Sequence, residues 1–375
     1  MDLAVETLFL ALAQEDVAPV TGETAFLRAQ PHEGLRQFPS LLCEQPWKPL
    51  AEALGIAGFE STPVEQTGRE EYDLVLLRPE RQRDLVFYDM ARGFRLLKPG
   101  GTLLAALPND WGAARYEKHL AELAGEVRSF SKNHCRAFWA RKTGDADTAL
   151  LREWLAGGET RPLEGDPRFL TRPGVFSWKE IDPGSQALAD HLPASLSGRV
   201  ADLGAGWGFL SRFILENRPL VRDLHLYEAD AAALHLARQN LAPLISKEEG
   251  APTVAFEWAD VTQGLGFAAF DHVVMNPPFH TGREADPLLG HKFIAAGIGA
   301  LRPGGHLWLV ANQFLPYERF LADALPNAKL LWQGGGYKIL TGSREKADDS
   351  PGDFTPRRQR QREKRRFMRK SPHGA

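Results

Sequence analysis

Only two cysteines, Cys43 and Cys135, occur in 375 residues. They are too few and too far apart for a disulfide framework or a metal knuckle. No apolar run reaches the roughly 18 residues that would cross a bilayer. The N-terminus, MDLAVETLFLALAQED, has acids where a secretory leader requires basic residues. No Ser-His-Asp or Cys-His arrangement, no metal-ligand cluster and no Gly-Lys-Ser/Thr P-loop is present. These absences predict a soluble cytoplasmic protein with no membrane association and no metal. Apolar residues make up 43% and charged residues 25%, the profile of a globular protein. The length suits two ordinary domains or one large one. The net charge of -3 conceals a split. Phe354 to Lys370 holds nine Lys or Arg against one Glu, a local +8, so the rest carries about -11.

The second half alternates short apolar strands with amphipathic helices, the pattern of a parallel sheet covered on both faces. GRVADLG reads as a first strand ending near Leu203, followed by the helix GWGFLSRFILEN. DLHLYEAD, PTVAFEWAD, FDHVVMN and HLWLVAN read as the next four strands. The helix LLGHKFIAAGIGALRPGG is expected to close at Pro-Gly-Gly, and AKLLWQGGGYKILTGS to form a closing hairpin. The first half repeats part of this. YDLVLLRPERQ matches FDHVVMNPPFH at an offset of 198, and RLLKPGGTLLAALPND matches GALRPGGHLWLVANQF at 204. Two ordered matches argue for a duplicated domain. The first copy lacks a Gly-rich loop and has Arg78-Pro79-Glu80 in place of Asn-Pro-Pro. It is therefore expected to be catalytically empty, kept for structure or for substrate grip. The expected division is a degenerate domain over 1–150, a Gly/Pro-rich linker over 151–172, a catalytic domain over 173–345 and a basic tail over 346–375. The tail is expected to be disordered until it meets a partner.

VADLGAGWGFLS places Gly204, Gly206 and Gly208 after a strand and at the opening of a helix. Glycine permits a tight turn and close approach of a ligand. Free N–H groups at the helix start favour an anionic group. The dinucleotide fingerprint would need glycine where Phe209 stands. A structural strand-to-helix turn is the bland alternative. The pattern D-x-G-x-G-x-G resembles the cofactor loop of class I S-adenosylmethionine-dependent methyltransferases. Glu228 ends the second strand, where an acid can accept from both ribose hydroxyls of a nucleoside cofactor. The resemblance implies that Asp260 accepts from the adenine amino group; otherwise it is a plain turn aspartate. Asp202 either orders the glycine loop or faces the cofactor amine.

NPPF, Asn276 to Phe279, ends the fourth strand and resembles the motif of methyltransferases that act on planar amino groups. The prolines remove backbone donors, so the strand stops there. An amine conjugated to a ring is weakly nucleophilic. Two acceptors aimed at its hydrogens, the Asn276 side-chain oxygen and the Pro277 carbonyl, would raise its reactivity and orient it. Phe279 can stack on a base removed from its helix. Pro278 and His280 are weaker candidates for substrate contact, and His280 reads equally well as a loop histidine without catalytic duty.

GVFSWKEIDPGSQAL, ADLGAGWGFLS, NPPFH and LWLVANQFLPYE together make the chain similar to the ribosomal RNA small subunit methyltransferase C family. That resemblance implies two tandem Rossmann-like class I methyltransferase domains. The second would hold a mostly parallel seven-stranded sheet with a closing antiparallel hairpin, and the first would have lost its cofactor site. It implies S-adenosylmethionine as cofactor and methylation of the N2 amine of a guanine in 16S rRNA. The expected partner is rRNA or the small ribosomal subunit, met by a monomer, with the tail attracting phosphate. Guanine in 23S rRNA, adenine N6 and a protein glutamine are alternative substrates. A non-catalytic RNA-binding assembly factor is the alternative of another class.

Overall fold

Leucine, valine and alanine runs form strands buried on both faces, as a parallel sheet between helices requires. The computed structural model describes residues 2–345 apart from 15, 16, 18–20, 69, 145, 247, 279, 282, 283 and 286. Phe279 and the basic tail therefore lie outside the described residues. The chain opens with α1 (Leu3–Leu12), β1 (Glu23–Leu27), β2 (Ser40–Glu44), α2 (Lys48–Ile56), β3 (Ser61–Thr62) and β4 (Tyr72–Leu77). α3 (Arg83–Leu96), β5 (Leu97–Pro108), α4 (Ala113–Ala124), β6 (Arg128–Lys132) and β7 (Cys135–Arg141) complete the first sheet. Then come α5 (Thr148–Gly157), β8 (Arg161–Leu163) and β9 (Asp166–Thr171). The second sheet begins after α6 (Pro183–His191), with β10 (Ser197–Leu203), α7 (Phe209–Asn217), β11 (Leu220–Glu228), α8 (Ala231–Leu241), β12 (Thr253–Trp258) and β13 (Phe270–Met275). A short pair, β14 (His280–Thr281) and β15 (Glu284–Ala285), precedes α9 (Pro287–Ala300) and β16 (Leu301–Asn312). α10 (Tyr317–Ala324), β17 (Lys329–Gly334) and β18 (Tyr337–Ser343) close it.

The first sheet runs β3-β2-β1-β4-β5-β7-β6 and the second β12-β11-β10-β13-β16-β18-β17. The two orders are the same once β1 is set on β10. Each has five parallel strands and an antiparallel hairpin at one edge. Small details repeat as well. Asp73 accepts from the backbone of Glu23 at 2.9 Å, and Asp271 from that of Arg199 at 2.8 Å. A Cβ on Gly22 or Gly198 would strike those same aspartates. The duplication is thus complete in topology, including strands that the repeat in sequence does not reach.

Two local features differ from expectation. α9 ends at Ala300, and Pro303-Gly304-Gly305 lies within the start of β16. There the register jumps from Phe270↔Leu301 to His272↔His306, so the extra residues bulge out. The segment 151–172 carries the end of α5 and the β8–β9 hairpin. Trp154 of α5 is buried in the first core, and Phe169 packs with Trp207 of the second half. We keep the domain limits as our proposal; β1–β7 fall inside 1–150 and β10–β18 inside 173–345.

Candidate active site

β10, β11 and β13 are parallel neighbours, so Leu203, Glu228 and Met275 end at one edge of the sheet. Ligands bind at that edge in open α/β sheets. Gly204, Gly206 and Gly208 have φ of +73°, +55° and +89°, a region that side chains rarely adopt. A Cβ on Gly208 would lie 2.8 Å from Leu241, so this glycine lets α7 approach α8. A Cβ on Gly206 would meet nothing within 4 Å, and Gly206 lines an open cleft. The cleft is also bordered by Phe176, Asp182, Ser185, Trp207 and Asn276.

Four of the loop's donors are occupied. Gly204 and Ala205 donate to the Tyr227 carbonyl, Gly208 to that of Ala205, and Gly206 to the Glu228 carboxyl at 2.7 Å. These four donors precede α7, so the free N–H groups expected at the helix start are a separate set, beginning at Phe209.

Asn276 stands where β13 stops. Its Nδ2 donates to Asp182 Oδ2 and to Ser185 Oγ, both at 2.9 Å. Asp182 also caps α6, accepting from the Ser185 backbone at 2.7 Å, and Pro183 takes the first helical position. A carboxylate accepts only, so the amide must turn its nitrogen to Asp182. Oδ1 is left without a partner among the described residues. Tyr337, at the start of β18, faces Asp182 as well, and close packing of its ring on Gly184 sets α6 against the hairpin. Pro277 is buried and Pro278 exposed.

The acids take different places. Glu228 is buried, and burial pushes its carboxyl up to about 7 against the N–H groups of Asp230 and Gly206 that bind it. Asp202 is fully buried, pushed up to about 6 by burial, and accepts from Ser211 Oγ at 2.7 Å. It ties the strand to α7 behind the loop, and its Oδ1 has no partner among the described residues. Asp260 caps a turn, accepting from the Thr262 backbone and hydroxyl. His280 lies in the backbone of β14.

Residues 166–341 match the family model Methyltransferase small domain. The ribosomal RNA small subunit methyltransferase C of Psychromonas ingrahamii is 27% identical over 278 residues, 73% of this chain and 76% of that one. The protein of the same name from Erwinia tasmaniensis is 30% identical over 274 residues, 72% of this chain and 74% of that one. The chain belongs to the ribosomal RNA small subunit methyltransferase C family. Among solved structures, the T. thermophilus 16S rRNA guanine N2 methyltransferase, in complex with AdoMet and guanosine, is 25% identical. It covers 92% of each chain with a TM-score of 0.73. Methyltransferase C relatives thus match both halves, and the class I methyltransferase fold is present twice.

Sequence reasoning does not single out Asp182, Ser185, Phe176 or Tyr337. The first three lie in GVFSWKEIDPGSQAL, a segment read there only as a mark of resemblance. Phe176 is 60% exposed at the cleft and its carbonyl accepts from Trp207 Nε1 at 2.9 Å. The exposed ring thus stands at the cleft beside Asn276 and the glycine loop.

Proposed function

We propose that this protein transfers a methyl group from S-adenosylmethionine to the exocyclic N2 amine of a guanine in 16S rRNA. The observation that carries this reading is the Asn276 amide, whose nitrogen is held by Asp182 and Ser185 and whose oxygen has no partner among the described residues. An oriented acceptor at the end of β13 is what a conjugated amine needs. It draws an N–H into the right direction and stabilises the positive charge that grows on nitrogen. The Pro277 carbonyl is our second acceptor, and Phe279 our stacking partner for the base. The cleft fits the cofactor: Gly206 leaves room for it, and Glu228 lies one hydrogen bond from that glycine. Bound S-adenosylmethionine supplies an electrophilic methyl group on a sulfonium. Glu228 would hold the ribose, Asp260 the adenine amine, and Gly204 and Gly208 keep the turn open. Asp202 supports α7 from behind. No strong base is required, because the alkylated nitrogen is acidic.

The first sheet already lies, within the same chain, beside the acid of the second, and we read the active unit as a monomer acting on rRNA in the cytoplasm. The test is methyl transfer from labelled S-adenosylmethionine to rRNA of cells lacking the protein, followed by mass analysis of nucleosides. N2-methylguanosine in 16S rRNA is expected. Label in 23S rRNA, in N6-methyladenosine or in protein glutamine would replace the substrate. Absence of S-adenosylmethionine binding would leave only the assembly-factor reading.

A further inference from the structure

The first domain touches the second at the acid that the proposed function assigns to the cofactor ribose. The Lys48 N–H, at the start of α2, donates to the Ala229 carbonyl at 2.8 Å. The Ala231 N–H returns the bond to the Pro46 carbonyl at 3.0 Å. Trp47 and Asp230 thus face each other as a single antiparallel bridge. The Trp258 indole N–H, from the end of β12, reaches both the Pro46 and the Ala229 carbonyls, at 3.0 and 2.9 Å. The Lys48 ammonium lies 4.5 Å from the Trp258 ring centre.

Ala229 and Asp230 follow Glu228 directly. Asp230 donates its N–H to Glu228 Oε1 at 2.8 Å, and Gly206 donates to Oε2 at 2.7 Å. An unbroken line of hydrogen bonds therefore runs from the first domain's Pro46–Lys48 turn, through residues 229–231, to the cofactor acid and on to the glycine loop. The contact also joins equivalent places: Pro46–Lys48 follow β2, and Ala229–Ala231 follow β11, its counterpart.

The first domain cannot hold the same ligand itself. Arg28 follows β1 at φ +55°, the left-handed turn that Gly204 occupies after β10. Glu44, at the end of β2, stands where Glu228 stands in the copy. Arg92 clamps both of its oxygens, at 2.6 and 2.7 Å, fully buried. The acid that meets only backbone donors in the second domain is thus held by an arginine in the first.

We infer that the emptied first domain is a positioning element for the cofactor acid: its Pro46–Lys48 turn fixes residues 229–231 and thereby sets the affinity for S-adenosylmethionine. This rests on the cofactor reading above. Lys48 is the first residue of α2, where proline is tolerated and its missing N–H costs the helix nothing. Lys48→Pro thus deletes the bond to Ala229, and Lys48→Ala, which keeps it, is the reference. Calorimetry with S-adenosylmethionine is expected to give a Kd about five- to tenfold weaker for Lys48→Pro than for Lys48→Ala, by loss of one directed hydrogen bond. Equal Kd values in the two folded variants overturn the inference. Should Lys48→Pro not fold, Trp258→Phe removes the indole donor and keeps a ring under Lys48; a several-fold weaker Kd is expected, and an unchanged one overturns the inference. Should the wild-type protein bind no S-adenosylmethionine, the cofactor reading fails. Hydrogen exchange at the Gly206 amide then tests the docking alone, with faster exchange expected in Lys48→Pro than in Lys48→Ala and equal exchange overturning it.

Discussion

Replacing Asn276 by alanine removes the acceptor and leaves the glycine loop intact. The magnitude follows from the bonds the amide makes. Its Nδ2 donates to Asp182 and Ser185 at 2.9 Å each. A hydrogen bond to a charged group contributes about 1.5–3 kcal/mol. At about 1.4 kcal/mol per factor of ten, the flipped amide is disfavoured roughly 10- to 100-fold. Oδ1 is therefore set before substrate arrives, and no reorganisation is needed during reaction. Removing one pre-organised group of this kind costs about 10²–10³ in kcat. Asn276→Ala is expected to lower the single-turnover rate on unmodified small subunits by that factor, read by rapid quench with labelled S-adenosylmethionine. Its cofactor Kd, read by calorimetry, should change less than about threefold, because a group acting only in the transition state leaves ground-state binding alone. Asp182→Ala is the graded companion. The Ser185 hydroxyl donates or accepts, so it cannot choose the amide orientation. A near-even population halves the competent fraction, a loss of about twofold from orientation alone. A rate for Asn276→Ala within about tenfold of wild type, or a loss of cofactor affinity equal to the loss of rate, would refute the acceptor role.

Burial raises Glu228 from the ordinary glutamate value to about 7, with Asp230 beside it adding to the rise. In the proposed ribose role Glu228 acts in its ionised form, so cofactor affinity should fall as pH drops from about 8 to 6, by at most about tenfold per unit; Glu228→Gln should flatten that dependence in calorimetry. The sign for the apoprotein is the reverse. Stability from the raised Glu228 is complete below the ordinary glutamate value and lost as pH rises through about 7, which urea unfolding at several pH values will show. Gly206→Ala and Gly208→Ala should separate two roles. The first places a methyl group in the cleft and weakens cofactor binding at a folding cost of about 1–2 kcal/mol for the left-handed turn. The second also drives into Leu241 and should show first as a lower Tm. Deleting the chain from Pro351 removes a net charge of +7, nine Lys or Arg against Asp353 and Glu363, and should weaken rRNA binding and flatten its salt dependence. An unchanged salt slope in filter binding would take the tail out of recognition.

The second sheet was legible because buried parallel strands are continuous apolar runs ended by chemistry-bearing residues. VADLG, LHLYE and VVMN each read as a strand plus its last side chain. The duplication was legible from two matched strand ends, since a buried strand end constrains both composition and order. What stayed hidden depends on distance in sequence. Asp182 and Ser185 reach Asn276 across 94 and 91 residues, and no local pattern announces a partner that far away. The occupied N–H groups of Gly204, Ala205 and Gly206 were hidden for the same reason, because their acceptors, Tyr227 and Glu228, come from another strand. The segment 151–172 looked like linker because glycine, proline and charge outnumber its few apolar residues. Those few decide its structure: Trp154 and Phe169 are buried, and Asn240 binds both the N–H and the carbonyl of Leu170, at 2.6 and 3.0 Å.

The two copies differ less in backbone than in what side chains do with it. The left-handed turn after the first strand is present in both, held by Arg28 in one and Gly204 in the other. The acid at the end of the next strand is present in both, as Glu44 and Glu228. In the second copy the glycine leaves the turn bare, and the acid spends its oxygens on two backbone N–H groups, each of which leaves lone pairs free. In the first copy Arg92 takes both oxygens of Glu44, while Arg28 binds the same Asp89 that Arg92 does. Buried charges of this kind are tolerated only when each is paired, and removing one member strands the others. The first copy is therefore committed: a cofactor could enter only by breaking that network. A domain that has exchanged its ligand for internal ion pairs has a turn to offer instead, and Pro46 to Lys48 is where that turn meets the second copy.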